Sequence, residues 1–117
     1  MKKTIILSSA GKGRGVYADE PIKNGEVIET CELILLNYHE VTGLLERYVF
    51  EFNQEKAALA LGHGSLYNHH QKPNAQCFID DKSKLLYVES TKNIKKGEEI
   101  TINYGYSKED KKRFNIV

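Results

Sequence analysis

Three groups of residues in this 117-residue chain have types and spacings suited to chemistry. The first is the glycine-dense stretch Gly11-Lys12-Gly13-Arg14-Gly15. Two glycines separated by one residue let the backbone approach a ligand closely, because glycine has no Cβ and tolerates positive φ. The stretch lacks the Gly-Lys-Ser/Thr ending of a phosphate loop and the full dinucleotide-binding fingerprint, so on this motif alone a strand-connecting turn is the better reading. The second group runs from Gly62 to Asn74 and holds three of the four histidines, His63, His69 and His70. Zinc asks for four ligands at regular Cys/His spacing, and Cys77 is the one further soft donor nearby, so no metal site is expected. Asn68 and His69 could instead satisfy buried backbone groups in a long loop. The third group, Gly97 to Tyr106, ends an extended run with Tyr104 and Tyr106, which alternation sends to the same side. Gly105 between them suits a close backbone approach.

The elements that must position these groups are short and mostly extended. Thr4 to Leu7 reads as a strand closed by Ser8, Ser9 and Gly11, and Val16 to Ala18 follows the glycine turn. Asn24-Gly25 is a tight-turn signal. Val27 to Leu36 reads as one or two strands, Glu40 to Glu46 as a short helix or helical turn, and Tyr48 to Phe52 alternates as a strand. Ala57 to Leu61 is apolar without a period, so strand and helix remain open. Gly62 to Asn74 reads as loop. Phe78-Ile79 and Leu85 to Val88 flank Asp80 to Lys84 as a hairpin, and Ile100 to Tyr104 reads as a last strand before a charged tail. Pro21-Ile22-Lys23-Asn24-Gly25-Glu26-Val27-Ile28 is echoed by Asn93-Ile94-Lys95-Lys96-Gly97-Glu98-Glu99-Ile100, which implies shared turn geometry and not a solenoid. The expected fold is mainly β, built from short strands with glycine turns.

Composition narrows the function classes. A chain of this length makes one domain, with a motif core of about residues 12–106 and a tail of 107–117. Seventeen basic and sixteen acidic residues leave a net charge of +1, which gives no broad basic field for direct nucleic-acid or membrane binding. Cys31 and Cys77 stand far apart in sequence and read as reduced thiols. The apolar run Ile5 to Leu7 is much shorter than the ~7–15 residues of a signal-peptide core. No stretch reaches the ~20 apolar residues of a membrane span, so the expected location is the cytoplasm.

In their order and character the three groups resemble the signature segments of the SET domain family of lysine methyltransferases. GRGVYA at Gly13 to Ala18 is similar to the family's Gly-x-Gly segment. Asn68-His69 with Pro73-Asn74 resembles its Asn-His and Pro-Asn pairs, and Gly97 to Tyr104 its Gly-Glu-Glu-Ile-Thr and tyrosine. The resemblance spans about Lys12 to Tyr106. It implies a mainly β assembly of small sheets with short helices, in which the last signature segment threads a loop as a pseudoknot. It also implies S-adenosylmethionine as cofactor, held by Lys12, Gly13, Arg14, Gly15, Asn68, His69 and Tyr104. Tyr104 matches the active-site tyrosine. Tyr106, Tyr48 and Cys77 would line the channel for the substrate lysine, in a histone or another basic protein.

The chemistry suits those residue types. Methyl transfer to an amine is an in-line displacement that depends on alignment more than on acid–base power. A lysine ammonium, with a reference pKa of ~10.4, must first lose its proton, and a narrow apolar channel favours the neutral form. Tyrosine hydroxyls and backbone carbonyls can orient the amine and contact the methyl group, while aromatic walls suit a sulfonium. His70 stands where the family often has serine. The zinc-binding flanks of many eukaryotic members have no counterpart here, so the tail or a homodimer partner would close the channel. The segment Gly62 to Ala75 looks most like the short stand-alone SET proteins of bacteria and large viruses. The alternative readings are an inactive SET-fold protein-binding module and a metal enzyme using His63, His69 and His70.

Overall fold

The first hairpin shows how local sequence becomes position. In a computed structural model, which describes residues 1–9, 11 and 13–103, strand β1 (Thr4–Ser9) pairs antiparallel with β2 (Gly13–Ala18). Gly11 and Gly13 take φ of +72° and +75°, the left-handed values that a tight reversal needs and that side chains resist. The sequence suggested that Gly13 to Gly15 lie in a turn. They already belong to β2, because Gly15 pairs with Leu7 and Gly13 with Ser9.

One long strand, β3 (Val27–Asn37), occupies the stretch that could have been two. Glu29, Thr30 and Glu32 do not break it, and a register shift between Val27 and Glu29 absorbs the irregularity against the later strand Leu85–Ser90. Two 3-10 turns, Tyr38–Glu40 and Gly43–Arg47, stand where a short helix or helical turn was expected. Then come β4 (Val49–Glu51) and β5 (Lys56–Ala60). The undecided run at Ala57 is a strand because β3 and β4 flank it, and Ala57, Ala58 and Ala60 are buried there.

The supposed loop holds a 3-10 turn (Gly64–Leu66) and the two-residue strand β6 (Asn68–His69). The hairpin of β7 (Ala75–Asp80) and β8 (Leu85–Ser90) and the final strand β9 (Glu99–Ile102) follow. Among the described residues the strands form two sheets, in order β1-β2-β9-β6 and β4-β5-β3-β8-β7. The core beneath them includes Val16, Ile22, Ile28, Tyr67, Leu86, Val88, Ile94, Ile100 and Ile102. The mainly β assembly of small sheets is therefore as the sequence implied. Among the described residues, β9 lies between β2 (antiparallel) and β6 (parallel).

The internal echo is structural as well as sequential. In the first copy Glu26 N–H bonds Lys23 O at 3.2 Å, and the Glu26 carboxylate takes Lys23 N–H at 2.7 Å. In the second, Glu98 N–H bonds Lys95 O at 3.1 Å, and the Glu98 carboxylate takes Lys95 N–H at 3.0 Å. Gly25 and Gly97 supply φ of +86° and +92°, as a type II turn requires at that position. Each turn then docks on the strand that precedes the other. Gly25 N–H and Glu26 O exchange bonds with Ser90, and Gly97 N–H and Glu98 O do the same with Ala18. Ile22 and Ile94 pair directly between the copies. The chain is thus two hairpin–turn–strand units that interlock: β3 pairs with β8 of the second unit, and β9 with β2 of the first.

Candidate functional site

The interlock draws the three signature groups together. β9 pairs with β2 at Val16 and Tyr17, while one residue further along it runs beside β6, with Asn68 opposite Thr101 and His69 opposite Ile102. The edge of Gly13–Gly15 that faces away from β1 is therefore met by a side chain. Asn68 Nδ2 donates to Arg14 O at 3.1 Å and to Glu99 Oε2 at 2.8 Å. A Cβ on buried Gly15 would lie 2.4 Å from Glu99 Oε2 and 2.8 Å from Asn68 Nδ2. The second glycine of the pair is thus the space in which this hydrogen bond fits. Gly13, in contrast, faces open space, and Gly13 and Arg14 are exposed.

Asn74 holds the same strand from the other direction. Its Nδ2 donates to Glu99 O and its Oδ1 accepts from Thr101 N–H, both at 2.9 Å, so one side chain acts as a neighbouring strand would. Its backbone carbonyl accepts from Thr91 N–H at 2.8 Å. His69 is buried. His70, in the place of the usual serine, is exposed; its N–H bonds Ile102 O at 2.9 Å and its Nδ1 accepts Lys72 N–H at 2.9 Å.

Behind Asn68 lies a buried polar cluster. The Glu29 carboxylate accepts Tyr67 O–H at 2.7 Å and His63 N–H at 2.9 Å. Gly62 is required beside it, since a Cβ there would lie 2.5 Å from Glu29 Oε2. Burial and the neighbouring Glu29 carboxylate push the Tyr67 phenol well above its ordinary range. Burial pushes Cys31 up to about 12, with Glu29 adding to it, and Cys77 likewise up to about 12. Both cysteines are free and protonated at neutral pH, which removes them as nucleophiles.

Of the residues singled out in the sequence, Gly13, Arg14, Gly15, Asn68 and His69 come together in one place. Cys77 lies behind them, packed on the main core within reach of the Glu29 cluster. Tyr48 stands elsewhere: half-buried, it ends the Gly43–Arg47 turn with its N–H on Leu45 O, beside the smaller core of Val41, Val49 and Ala57. Lys12, Tyr104 and Tyr106 lie outside the described residues. The histidines do not converge: His63 Nδ1 shares a hydrogen bond with Thr4 Oγ1, and His70 Nδ1 is taken by Lys72 N–H. Among the described residues no group of three or more His, Cys, Asp or Glu is placed to hold a metal. Sequence reasoning gave no task to Glu29, Asn74 or Glu99. The Pro-Asn and Gly-Glu-Glu motifs contained the signal for the latter two.

Among the described residues the arrangement offers an open backbone edge at Gly13–Arg14, room at a positive-φ glycine, and an amide whose oxygen faces away from its two acceptors. Glu99 places a carboxylate directly beneath. Together these suit a small polar ligand with cationic groups, as S-adenosylmethionine is.

Residues 13–105 match the family described as SET domain. The chain is 33% identical over 105 residues to the histone-lysine N-methyltransferase, H3 lysine-37 specific, of Schizosaccharomyces pombe, covering 86% of this chain and 71% of that protein. Its fold is similar to the crystal structure of a candidate histone methyltransferase of Plasmodium falciparum, with a TM-score of 0.79 and 35% identity, over 92% of this chain and 97% of that one. It is also similar to ctPRC2 in an autoinhibited conformation bound to S-adenosylmethionine, with a TM-score of 0.75 over 89% of this chain and 15% of that one; at 23% identity this likeness concerns the fold alone.

Proposed function

The chain belongs to the SET domain family, and from that premise we propose that it transfers a methyl group from S-adenosylmethionine to the ε-amine of a lysine in a histone or another basic protein. The observation that carries this reading is the convergence of Gly13–Gly15, Asn68 and Glu99 at one open backbone edge. Gly13, Arg14, Gly15, Asn68 and His69 would hold the cofactor, with Lys12 completing the turn. Bound there, S-adenosylmethionine supplies an electrophilic methyl group on a sulfonium.

The protein's part is alignment. Tyr104 orients the lysine amine, and Tyr106 and Cys77 line its channel. An apolar channel favours the neutral amine, whose lone pair the displacement requires. The protonated thiol of Cys77 adds no charge to such a wall. Within the family, the segment Gly62 to Ala75 supports reading the chain as one of the short stand-alone SET proteins of bacteria and large viruses. A second copy of the chain closing the channel belongs to the same reading.

Calorimetric titration of S-adenosylmethionine into the wild type and Tyr104→Phe, followed by assay of each on histone peptides, tests the proposal. Both proteins are expected to bind, and only the wild type to transfer methyl. Absence of binding by the wild type would overturn the reading and favour a protein-binding module of the same fold.

A further inference from the structure

We propose that Glu99 is a positioning residue, which fixes the orientation of the Asn68 amide and so sets the affinity of the cofactor site. The inference rests on the cofactor reading above. A primary amide carries two N–H donors on one side and an acceptor oxygen on the other, and it can turn over to exchange them. Asn68 meets two acceptors on its inner side, the carbonyl of Arg14 at 3.1 Å and the carboxylate of Glu99 at 2.8 Å. Turned over, Asn68 would set its oxygen against a carbonyl and a carboxylate, so the pair of acceptors holds one orientation. The carboxylate is the stronger of the two, since a charge-assisted hydrogen bond exceeds a neutral one.

Glu99 is itself fixed. Its carbonyl is held by Asn74 Nδ2, the next backbone donor but one, Thr101 N–H, is held by Asn74 Oδ1, and it pairs with Tyr17 of β2. The missing side chain of Gly15 provides the room for the Glu99–Asn68 bond. Glu99 thus ties together the Gly-x-Gly, Asn-His, Pro-Asn and Gly-Glu-Glu segments, and its bond reaches the site through Asn68. The remaining side of the Asn68 amide is then always an acceptor, next to the Gly13–Gly15 segment whose Arg14 carbonyl its nitrogen meets. A cofactor that carries an ammonium group benefits from an acceptor held there in advance, because no reorientation accompanies binding.

The test is a double-variant cycle read by cofactor titration and by steady-state kinetics, with thermal unfolding of every variant measured alongside. Glu99→Ala should weaken cofactor binding by about tenfold, within the coupling found between hydrogen-bonded neighbours. Its KM for the cofactor should rise while kcat at saturation stays within about twofold, the pattern of lost ground-state binding. Glu99→Gln, which keeps an acceptor, should bind within about threefold of the wild type. Asn68→Ala combined with Glu99→Ala should bind no worse than Asn68→Ala alone. Additive losses in that pair, or wild-type affinity in Glu99→Ala, would overturn the role of Glu99 while leaving the cofactor reading in place. A wild type that does not bind would overturn both. If Glu99→Ala fails to fold, the reciprocal pair decides. Asn68→Asp faces one carboxylate with another and should bind poorly, and adding Glu99→Gln should recover at least about threefold by restoring a donor. No recovery would overturn the proposal.

Discussion

Cys31 is 3% exposed and lies beside the Glu29 carboxylate, and both conditions oppose its thiolate. The consequence is an alkaline weakness in the fold. In the unfolded chain the thiol ionises near its ordinary value of 9.0, whereas in the folded protein it keeps its proton up to about 12. A raised folded pKa gives a contribution that is complete below the unfolded value and declines as pH rises toward the folded one. Between about pH 9 and 12 the loss is at most about 1.4 kcal/mol per pH unit for this thiol. Tyr67, raised in the same direction, adds to the loss from its own ordinary value of 10.0 upward. Urea unfolding at pH 7, 8, 9 and 10 should show nearly constant stability between the first two and a growing decline from there on. Cys31→Ala, although less stable overall, should decline less between pH 9 and 10. Equal declines in the two proteins would show that solvent reaches the Cys31 thiol.

Among the elements, β6 and β9 depend most on partners far away in sequence. β6 has two residues, and β9 is held on one flank by the Asn74 side chain. Asn74→Ala would leave Thr101 N–H and Glu99 C=O without those bonds in a partly buried place, a cost of about 2 kcal/mol. Because these groups border the Asn68 site, the variant should also bind cofactor more weakly than its stability loss alone explains. Denaturant unfolding and cofactor titration of the same preparation would check both parts, and unchanged stability would refute the clamp.

The same dependence on distant partners marks where sequence reading succeeded and where it stopped. Strands with a period of two, such as Val49–Glu51 and Leu85–Ser90, and turns with a glycine at positive φ were legible, because their signals are local. Ala57–Ala60 had no period, since neighbours cover it, and Asn68–His69 is a strand only because β9 arrives beside it. Glu29, one of the polar residues that left one or two strands open, points inward, where Tyr67 and His63 meet its carboxylate. The gathering of Gly15, Asn68 and the Gly-Glu-Glu segment was legible through family resemblance, but the bond joining them follows from register that no local pattern encodes.

At the scale of the whole molecule, the two hairpin–turn–strand units have exchanged their third strands, so neither is complete without the other. Ile22 and Ile94 mark the junction: they are 1% and 2% exposed and exchange backbone bonds of 2.8 and 2.7 Å. Each follows its hairpin and precedes its glycine turn, so the two occupy equivalent places in sequence as well as in space. Truncation of either should therefore cost a similar amount, about 3 kcal/mol for a buried isoleucine reduced to alanine. The two share one packed region, so their effects should also couple, and the double variant should differ from the sum of the singles by more than about 0.5 kcal/mol. Unfolding should remain one transition in every variant that folds, because removing one turn from its dock releases both β3–β8 and β2–β9 pairing. Urea titrations of Ile22→Ala, Ile94→Ala and the pair, followed by circular dichroism and tyrosine fluorescence, would test this. Two separated transitions would mean that each unit folds on its own, and the interlock would then be a docking of finished parts.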